Sequence, residues 1–226
     1  MKYSNITEGK FISRINRFIA EAYIDGKIES VHVKNTGRLI KLLKSGSTAY
    51  LQKTDKPERK TKYDLIAVEH NGNIINVDSQ VTNEVAAEWL QKKILFPDLT
   101  YIKREVKYGD SRFDIYIEHG DKKAFIEVKG VTLEENGIAR FPDAPTTRGV
   151  KHVGELIKCM DDGYEAYIMF VIQMPDIKGF EPAREIQPEF AQVLNDAHQK
   201  GVGILAYGCD MTPDSIEISY PVEVSL

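Results

Sequence analysis

Arg112-Phe113-Asp114-Ile115-Tyr116-Ile117 leads through a polar turn, Glu118-His119-Gly120-Asp121, to Ala124-Phe125-Ile126-Glu127-Val128-Lys129-Gly130. Both runs alternate as strands do, and Gly120 marks the turn between them. Successive side chains on a strand point to opposite faces. Arg112, Asp114 and Tyr116 therefore share one face, with Phe113, Ile115 and Ile117 on the other. On the second run Phe125, Glu127 and Lys129 share a face, with Ile126 and Val128 opposite. Paired as a hairpin, the two strands bring two carboxylates and one ammonium together.

Those residue types suit phosphodiester hydrolysis. Mg2+ (or Mn2+) takes oxygen ligands, commonly one or two carboxylates completed by water and substrate phosphate. Such a cation acidifies water and polarises a phosphoryl oxygen. A lysine beside it offsets charge that develops on the phosphate. On this reading Asp114 and Glu127 are the metal ligands, and Lys129 faces the attacking water and the scissile phosphate. An Asp followed by Glu-X-Lys on the next strand also occurs on solvated sheet faces, so the rest of the chain has to carry weight.

Going outward, Thr82-Asn83-Glu84 reads as a helix start with a polar cap and an early acid. Val85, Ala86, Trp89, Leu90 and Ile94 form its apolar stripe before Pro97, and a strand follows near Tyr101 to Lys107. Downstream, Thr132 to Thr147 contains Gly137, Pro142 and Pro145 and reads as an ordered loop. Arg140, Asp143 and Thr146 on it, and Arg148 just after it, are placed to face a substrate. A helix is expected from Arg148 to Asp161, with Lys151 and His152 in its first turn, where helix N-termini favour phosphate. Ala166 to Ile172 is too continuously apolar for a surface strand and belongs in the middle of a sheet. Pro188 to Lys200 reads as a helix, and Val202 to Tyr207 and Ile216 to Tyr220 as strands. This alternation gives an α/β domain with a mixed sheet over residues 81–226. There is no P-loop, dinucleotide fingerprint or GxSxG motif.

Residues 1–80 read as short strands: Lys10–Asn16, Arg17–Ile24, Lys27–Lys34, Thr48–Lys53, Asp64–Glu69 and Ile74–Val77, with a further short segment from Arg38 to Leu43. Asp25-Gly26 is a strong hairpin turn signal and Asn71-Gly72 a second turn. Short strands at this spacing make a small barrel. Barrels of the OB type hold nucleic acid by stacking bases on aromatics beside basic side chains. Phe11, Phe18, Tyr23 and Tyr50 are the available platforms, although aromatics in small barrels mostly fill the interior.

Charge is distributed unevenly. The net charge is −4, yet residues 1–80 hold 14 Lys and Arg against 9 Asp and Glu, a net +5, and residues 81–226 hold 16 against 25, a net −9. From Lys34 to Lys62 nine bases (Lys34, Arg38, Lys41, Lys44, Lys53, Lys56, Arg59, Lys60, Lys62) face only Asp55 and Glu58. A local excess of this kind can track a phosphate backbone. The expected backbone contacts are Lys10, Arg14, Arg17, Lys34 and Arg38, with Arg148 from the second domain. At 226 residues the chain exceeds the common single-domain size of about 100–150 residues. No apolar run approaches the roughly 20 residues of a membrane helix, and the start has no apolar signal core. Cys159 and Cys209 lack CxxC spacing, and the five histidines are scattered, so free thiols in a reducing cytoplasm are expected and zinc is not.

Several strings in order resemble the bacterial and archaeal sugar fermentation stimulation protein (SfsA) family over nearly the whole chain. They include Lys34-Asn35-Thr36-Gly37, Arg104-Glu105-Val106-Lys107-Tyr108-Gly109, Ser111-Arg112-Phe113-Asp114, Ile126-Glu127-Val128-Lys129-Gly130-Val131-Thr132-Leu133, Phe141-Pro142-Asp143-Ala144, Thr147-Arg148-Gly149, Lys151-His152 and Gly201 to Tyr207. The resemblance implies a two-domain α+β / α/β architecture: an N-terminal OB-like β-barrel and a C-terminal PD-(D/E)XK nuclease-like mixed-sheet domain. It implies a DNA partner, RNA being the alternative; no membrane partner is expected, and the oligomeric state is left open, a homodimer included. One departure is Phe113, where the broad nuclease pattern has proline. In that fold the helix before the first strand often donates a glutamate. Glu84 and Glu88 are both candidates, and the resemblance favours Glu88. It also raises Lys151 as a catalytic candidate. A non-catalytic DNA-binding regulator of sugar-utilisation genes, built on the same scaffold, is the competing expectation.

Overall fold

The computed structural model describes residues 1–54, 58–109 and 111–226. Asp55 and Lys56 of the basic stretch lie outside the described residues. Chain order runs β1 (Ile6–Arg14), β2 (Ile19–Ile24), β3 (Lys27–Val33), β4 (Thr48–Lys53), β5 (Tyr63–His70) and β6 (Asn73–Asn76). Antiparallel pairing links β3-β2-β1-β4-β5-β6, and a parallel pairing of β3 with β5 closes β1–β5 into a five-stranded barrel. Inward positions are apolar: Phe11, Ala20, Ala22, Ile24, Val31, Val33, Leu51 and Leu65 are buried together. Gly9 has no room for a side chain, since a Cβ there would stand 2.8 Å from the Tyr23 carbonyl oxygen. Of the proposed stacking aromatics, Phe11 and Tyr50 are buried, and Phe18 and Tyr23 are exposed.

The second half comprises α1 (Thr82–Gln91), β7 (Leu99–Tyr108), β8 (Ser111–His119), β9 (Lys122–Val131), β10 (Leu133–Glu135), β11 (Ile138–Phe141) and α2 (Thr147–Asp161). It continues with β12 (Glu165–Ile172), β13 (Gly179–Pro182), α3 (Pro188–Gln199), β14 (Gly203–Thr212), β15 (Ser215–Pro221) and β16 (Glu223–Val224). The main sheet has the order β15-β14-β12-β9-β8-β7. β12 runs parallel to both neighbours and the outer pairs are antiparallel, giving the expected mixed sheet. β12 is buried on both faces, as its continuous apolar run requires.

Two expectations need correction. Thr132 to Thr147 is not a plain loop. Asn136, at φ 56°, and Gly137 turn the chain between β10 and β11, which join β13 and β16 in a small second sheet. Strands of two to four residues carry too little periodicity to be read in advance. Helix α1 also lacks a polar side-chain cap: Val81 is its N-cap, and the Thr82 hydroxyl donates back to the Ser79 carbonyl at 3.2 Å.

The barrel is joined firmly to the second half. Strand β5 is buried at six successive residues because its outer face packs away from the barrel interior. Tyr50, Ile66 and Ala67 join one apolar cluster with Val85, Trp89 and Leu90 of α1 and with Ile115 and Ile126 of the sheet. The fully buried Gln173 donates to Asn76 Oδ1 at 2.7 Å and to the Asp78 carbonyl at 2.9 Å, giving this apolar seam polar specificity.

Candidate active site

Strands β8 and β9 separate at the residue that matters. Their ladder ends at Ile115↔Ile126. One residue earlier on β8, Asp114 Oδ2 accepts the Val128 backbone N–H at 2.8 Å, so a carboxylate fills the gap in the ladder. The same departure carries Phe113 out of strict alternation. It packs 4.9 Å from the Phe125 ring, in a cluster apart from Ile115 and Ile117.

Asp114, Glu127 and Lys129 do meet. They line one cleft of about 340 Å³ with Asn83 of α1, Gly130 of β9, Arg140 and Phe141 of β11, and Asp143, Thr146, Arg148 and Gly149 leading into α2. Asn35, Thr36 and Gly37 from the barrel complete the wall, so both domains build the site. A Cβ at Gly37 would collide with the Asp143 carboxylate, so any side chain there would displace it. Asp143 also accepts the Arg38 backbone N–H at 3.1 Å, tying the barrel loop to the second domain.

Glu127 is 1 % exposed. Its Oε1 accepts from Lys129 Nζ at 2.5 Å and meets His152 Nδ1, while its buried Oε2 has no hydrogen-bond partner. Burial pushes the Glu127 carboxyl up, but the hydrogen bonds from His152 and Lys129 outweigh it and hold the group below its ordinary value. Asp114 is in the opposite situation. Burial first, and then the Glu127 charge, push its carboxyl up to about 6. Its Oδ1 accepts from Asn83 Nδ2 at 2.8 Å. Two close carboxylates, one carrying an unsatisfied buried oxygen, fit a hard cation: adding positive charge would relieve both the repulsion and the orphaned oxygen. Among the described residues no cluster of three or more His, Cys, Asp or Glu side chains forms a metal cage. A cation here would need water or phosphate as further ligands.

Other expected residues fall elsewhere. Glu88 does not reach the cleft, since its Oε2 lies 2.6 Å from the N-terminal ammonium of Met1. Glu84 faces Arg104 at 3.6 Å. Helix α1 contributes Asn83 instead, which sequence reasoning missed. Helical spacing carried the signal: Asn83 is three residues before Ala86 and seven before Leu90 on the buried side, whereas Glu84, Glu88 and Gln91 lie on the exposed side. Lys151 is exposed on α2 and does not line the cleft. His152, one residue on, is buried and bonded to Glu127.

Two of the expected backbone contacts serve the fold. The Arg14 guanidinium donates to four carbonyls: Gly37 at 2.6 Å, Asn35 at 2.7 Å, Arg17 at 2.8 Å and Arg38 at 2.9 Å. It thereby shapes the loop that walls the cleft. Lys34 is paired to Asp78 at 2.5 Å and lies 3.7 Å from Asp64. Local basic excess counted both as free charge, which their internal partners remove. Lys10 donates to the Thr48 hydroxyl at 3.0 Å. Arg17 and Arg38 are exposed on the barrel, and exposed Arg148 lines the cleft.

The chain matches family models along most of its length: the SfsA N-terminal OB domain over residues 12–77 and the sugar fermentation stimulation protein RE domain over residues 80–215. A sugar fermentation stimulation protein homolog of Clostridium beijerinckii is 55% identical over 226 residues, covering 100% of both chains. One from Caldanaerobacter subterraneus subsp. tengcongensis is 45% identical, covering 98% of this chain and 97% of its own. The solved structure of Pyrococcus furiosus SfsA in complex with Ca2+ is 32% identical, with a TM-score of 0.89, covering 100% of this chain and 98% of that one. Fold, barrel and sequence agree, and the chain belongs to the sugar fermentation stimulation protein family.

Proposed function

We propose that this protein is a divalent-metal-dependent nuclease that binds DNA, or RNA, across its barrel and hydrolyses a phosphodiester in the cleft between its domains. The observation that carries the reading is the meeting of Asp114, Glu127 and Lys129 in one cleft with the buried Glu127 Oε2 left without a partner. Asp114 and Glu127 would hold Mg2+ (or Mn2+); a relative solved with Ca2+ supports a hard, oxygen-seeking cation. When bound, the cation supplies acidification of water and neutralisation of phosphate charge. Asn83 and the Val128 N–H orient Asp114, and His152 and Lys129 orient Glu127. The Lys129 ammonium stabilises negative charge growing on the phosphate. Arg148 offers planar donors to a phosphate oxygen, and exposed Arg17 and Arg38 steer the polymer toward the cleft.

Among the described residues no helix is long and apolar enough to cross a membrane. Cys159 and Cys209 are buried and free. We place the protein in the cytoplasm, where such thiols stay reduced.

A non-catalytic nucleic-acid-binding regulator is favoured by one observation: Glu127 Oε1 is already held by two donors, leaving few open ligands. Incubation with single- and double-stranded DNA and RNA, with and without Mg2+ and a chelator, separates the two. Chelator-sensitive products that vanish in Asp114→Ala and in Lys129→Ala are expected. Metal-independent binding without product would establish the regulator, and undiminished cleavage by the doubly substituted protein would remove these residues from the chemistry.

A further inference from the structure

Arg148 occupies two positions in the network at once. It lines the cleft, and its Nε donates to His152 Nε2 at 3.2 Å. Arginine has no acceptor, so Nε2 must carry the lone pair and Nδ1 the proton. The bond from His152 to Glu127 therefore runs from imidazole N–H to carboxylate. His152 is 7 % exposed and Glu127 1 %, so water does not compete for this bond. Lys129 holds the same oxygen, Oε1, from the second side. Glu127 is thus pinned at one oxygen and presents the other. Among the described residues no hydrogen bond or ion pair engages the other guanidinium nitrogens of Arg148, and the side chain is exposed at the start of α2.

We propose that Arg148 and His152 form a positioning relay that couples a nucleic-acid phosphate in the cleft to the orientation of Glu127, and so to cation affinity. The inference rests on the metal-dependent reading of the site. A phosphate taken by the outer guanidinium nitrogens fixes the plane of Arg148 and keeps Nε–H directed at His152. That holds the imidazole tautomer, and the tautomer holds Oε1, leaving Oε2 for the cation. Coupling between two ligands is reciprocal, so phosphate tightens cation binding as much as cation tightens phosphate binding. His152 touches no reacting atom and acts only through Glu127.

Calorimetric titration of the full chain with Ca2+ tests this, with and without a thymidylate oligonucleotide, after subtracting cation uptake by the oligonucleotide alone. His152→Ala is expected to weaken Ca2+ binding about 10- to 100-fold, the usual effect of losing a hydrogen-bond partner behind a ligand. His152→Asn, whose Nδ2 can donate where Nδ1 did, should restore most of that loss, and His152→Gln should not. A purely structural role would not separate Asn from Gln. Arg148→Ala should weaken Ca2+ binding by the free protein less than His152→Ala does, and should remove the tightening that a saturating oligonucleotide gives the unsubstituted protein. Unchanged Ca2+ affinity in a folded His152→Ala, equal behaviour of Asn and Gln, or full oligonucleotide tightening in Arg148→Ala would each overturn the relay. Thermal unfolding establishes that the variants fold, and should His152→Ala not fold, the Asn and Gln pair carries the test. If the unsubstituted protein takes up no Ca2+ or Mn2+, the metal-dependent reading itself falls, an outcome distinct from loss of the relay alone.

Discussion

The barrel and the cleft each contain a buried network of acids and bases, and they differ in whether it is closed. In the barrel, Asp64 accepts from Arg59 at both oxygens, meets His32 at 3.3 Å and lies 3.7 Å from Lys34, which pairs with Asp78. The other Asp78 oxygen accepts the Gln80 backbone N–H at 3.0 Å. Every carboxylate oxygen has a donor, and the network holds strands together. In the cleft, Glu127 Oε2 has none and Arg148 reaches solvent. The same residue types are structural where the hydrogen-bond count closes and available to a ligand where it does not.

Substitutions can break that contrast. The largest effect is expected in the cleft: Lys129→Ala should lower the rate of chelator-sensitive cleavage by on the order of 10²- to 10³-fold, with the circular dichroism spectrum unchanged, as for loss of one preorganised charge stabiliser. Lys34→Ala should do the reverse. It leaves Asp78, 2 % exposed, without its cation, and urea titration should show a loss of about 3 kcal/mol while cleavage per folded molecule persists. Equal loss of activity in the two variants would erase the distinction between open and closed networks.

A pH titration sharpens the comparison further. Burial pushes the Asp64 carboxyl up, but Arg59 and Lys34 outweigh it and hold it below its ordinary value. A carboxyl whose folded pKa is depressed contributes stability that is complete above its unfolded value, about 3.9, and fades as pH falls through the folded value. Stability should therefore decline below about pH 4 more steeply in the unsubstituted protein than in Asp64→Asn, read from urea midpoints. A steeper acid decline in the variant would reverse the assignment. The smallest effect belongs to the exposed barrel surface: Arg38→Ala should weaken nucleic-acid binding modestly and uniformly across sequences and lower the salt slope by about 1. An unchanged slope would place the backbone track elsewhere.

What could be read in advance follows local periodicity. Alternation over Ile115–Ile117 and Ala124–Lys129 was long enough to set the β8–β9 hairpin and the face shared by Glu127 and Lys129. The three-residue β10 and two-residue β16 offered no such window. On α1, charge drew attention to Glu84 and Glu88, whereas helical phase places Asn83 against Asp114. Lys151 and His152 are adjacent in sequence, but a helix rotates neighbours by about 100°, so one is exposed and the other buried against Glu127.

Strand alternation and turn residues are local, and they suffice for the barrel, the mixed sheet and the face that Glu127 shares with Lys129; the parting of β8 from β9 then brings Asp114 to that pair. Which charges are free is settled by long-range contacts. Arg14 is committed to four carbonyls, Lys34 to two aspartates and Glu88 to the N-terminus, while the barrel loop Asn35–Gly37 closes the cleft of the other domain. The partner of a side chain depends on contacts between segments far apart in the chain, and a charge presents itself to a ligand only where those contacts leave it unsatisfied.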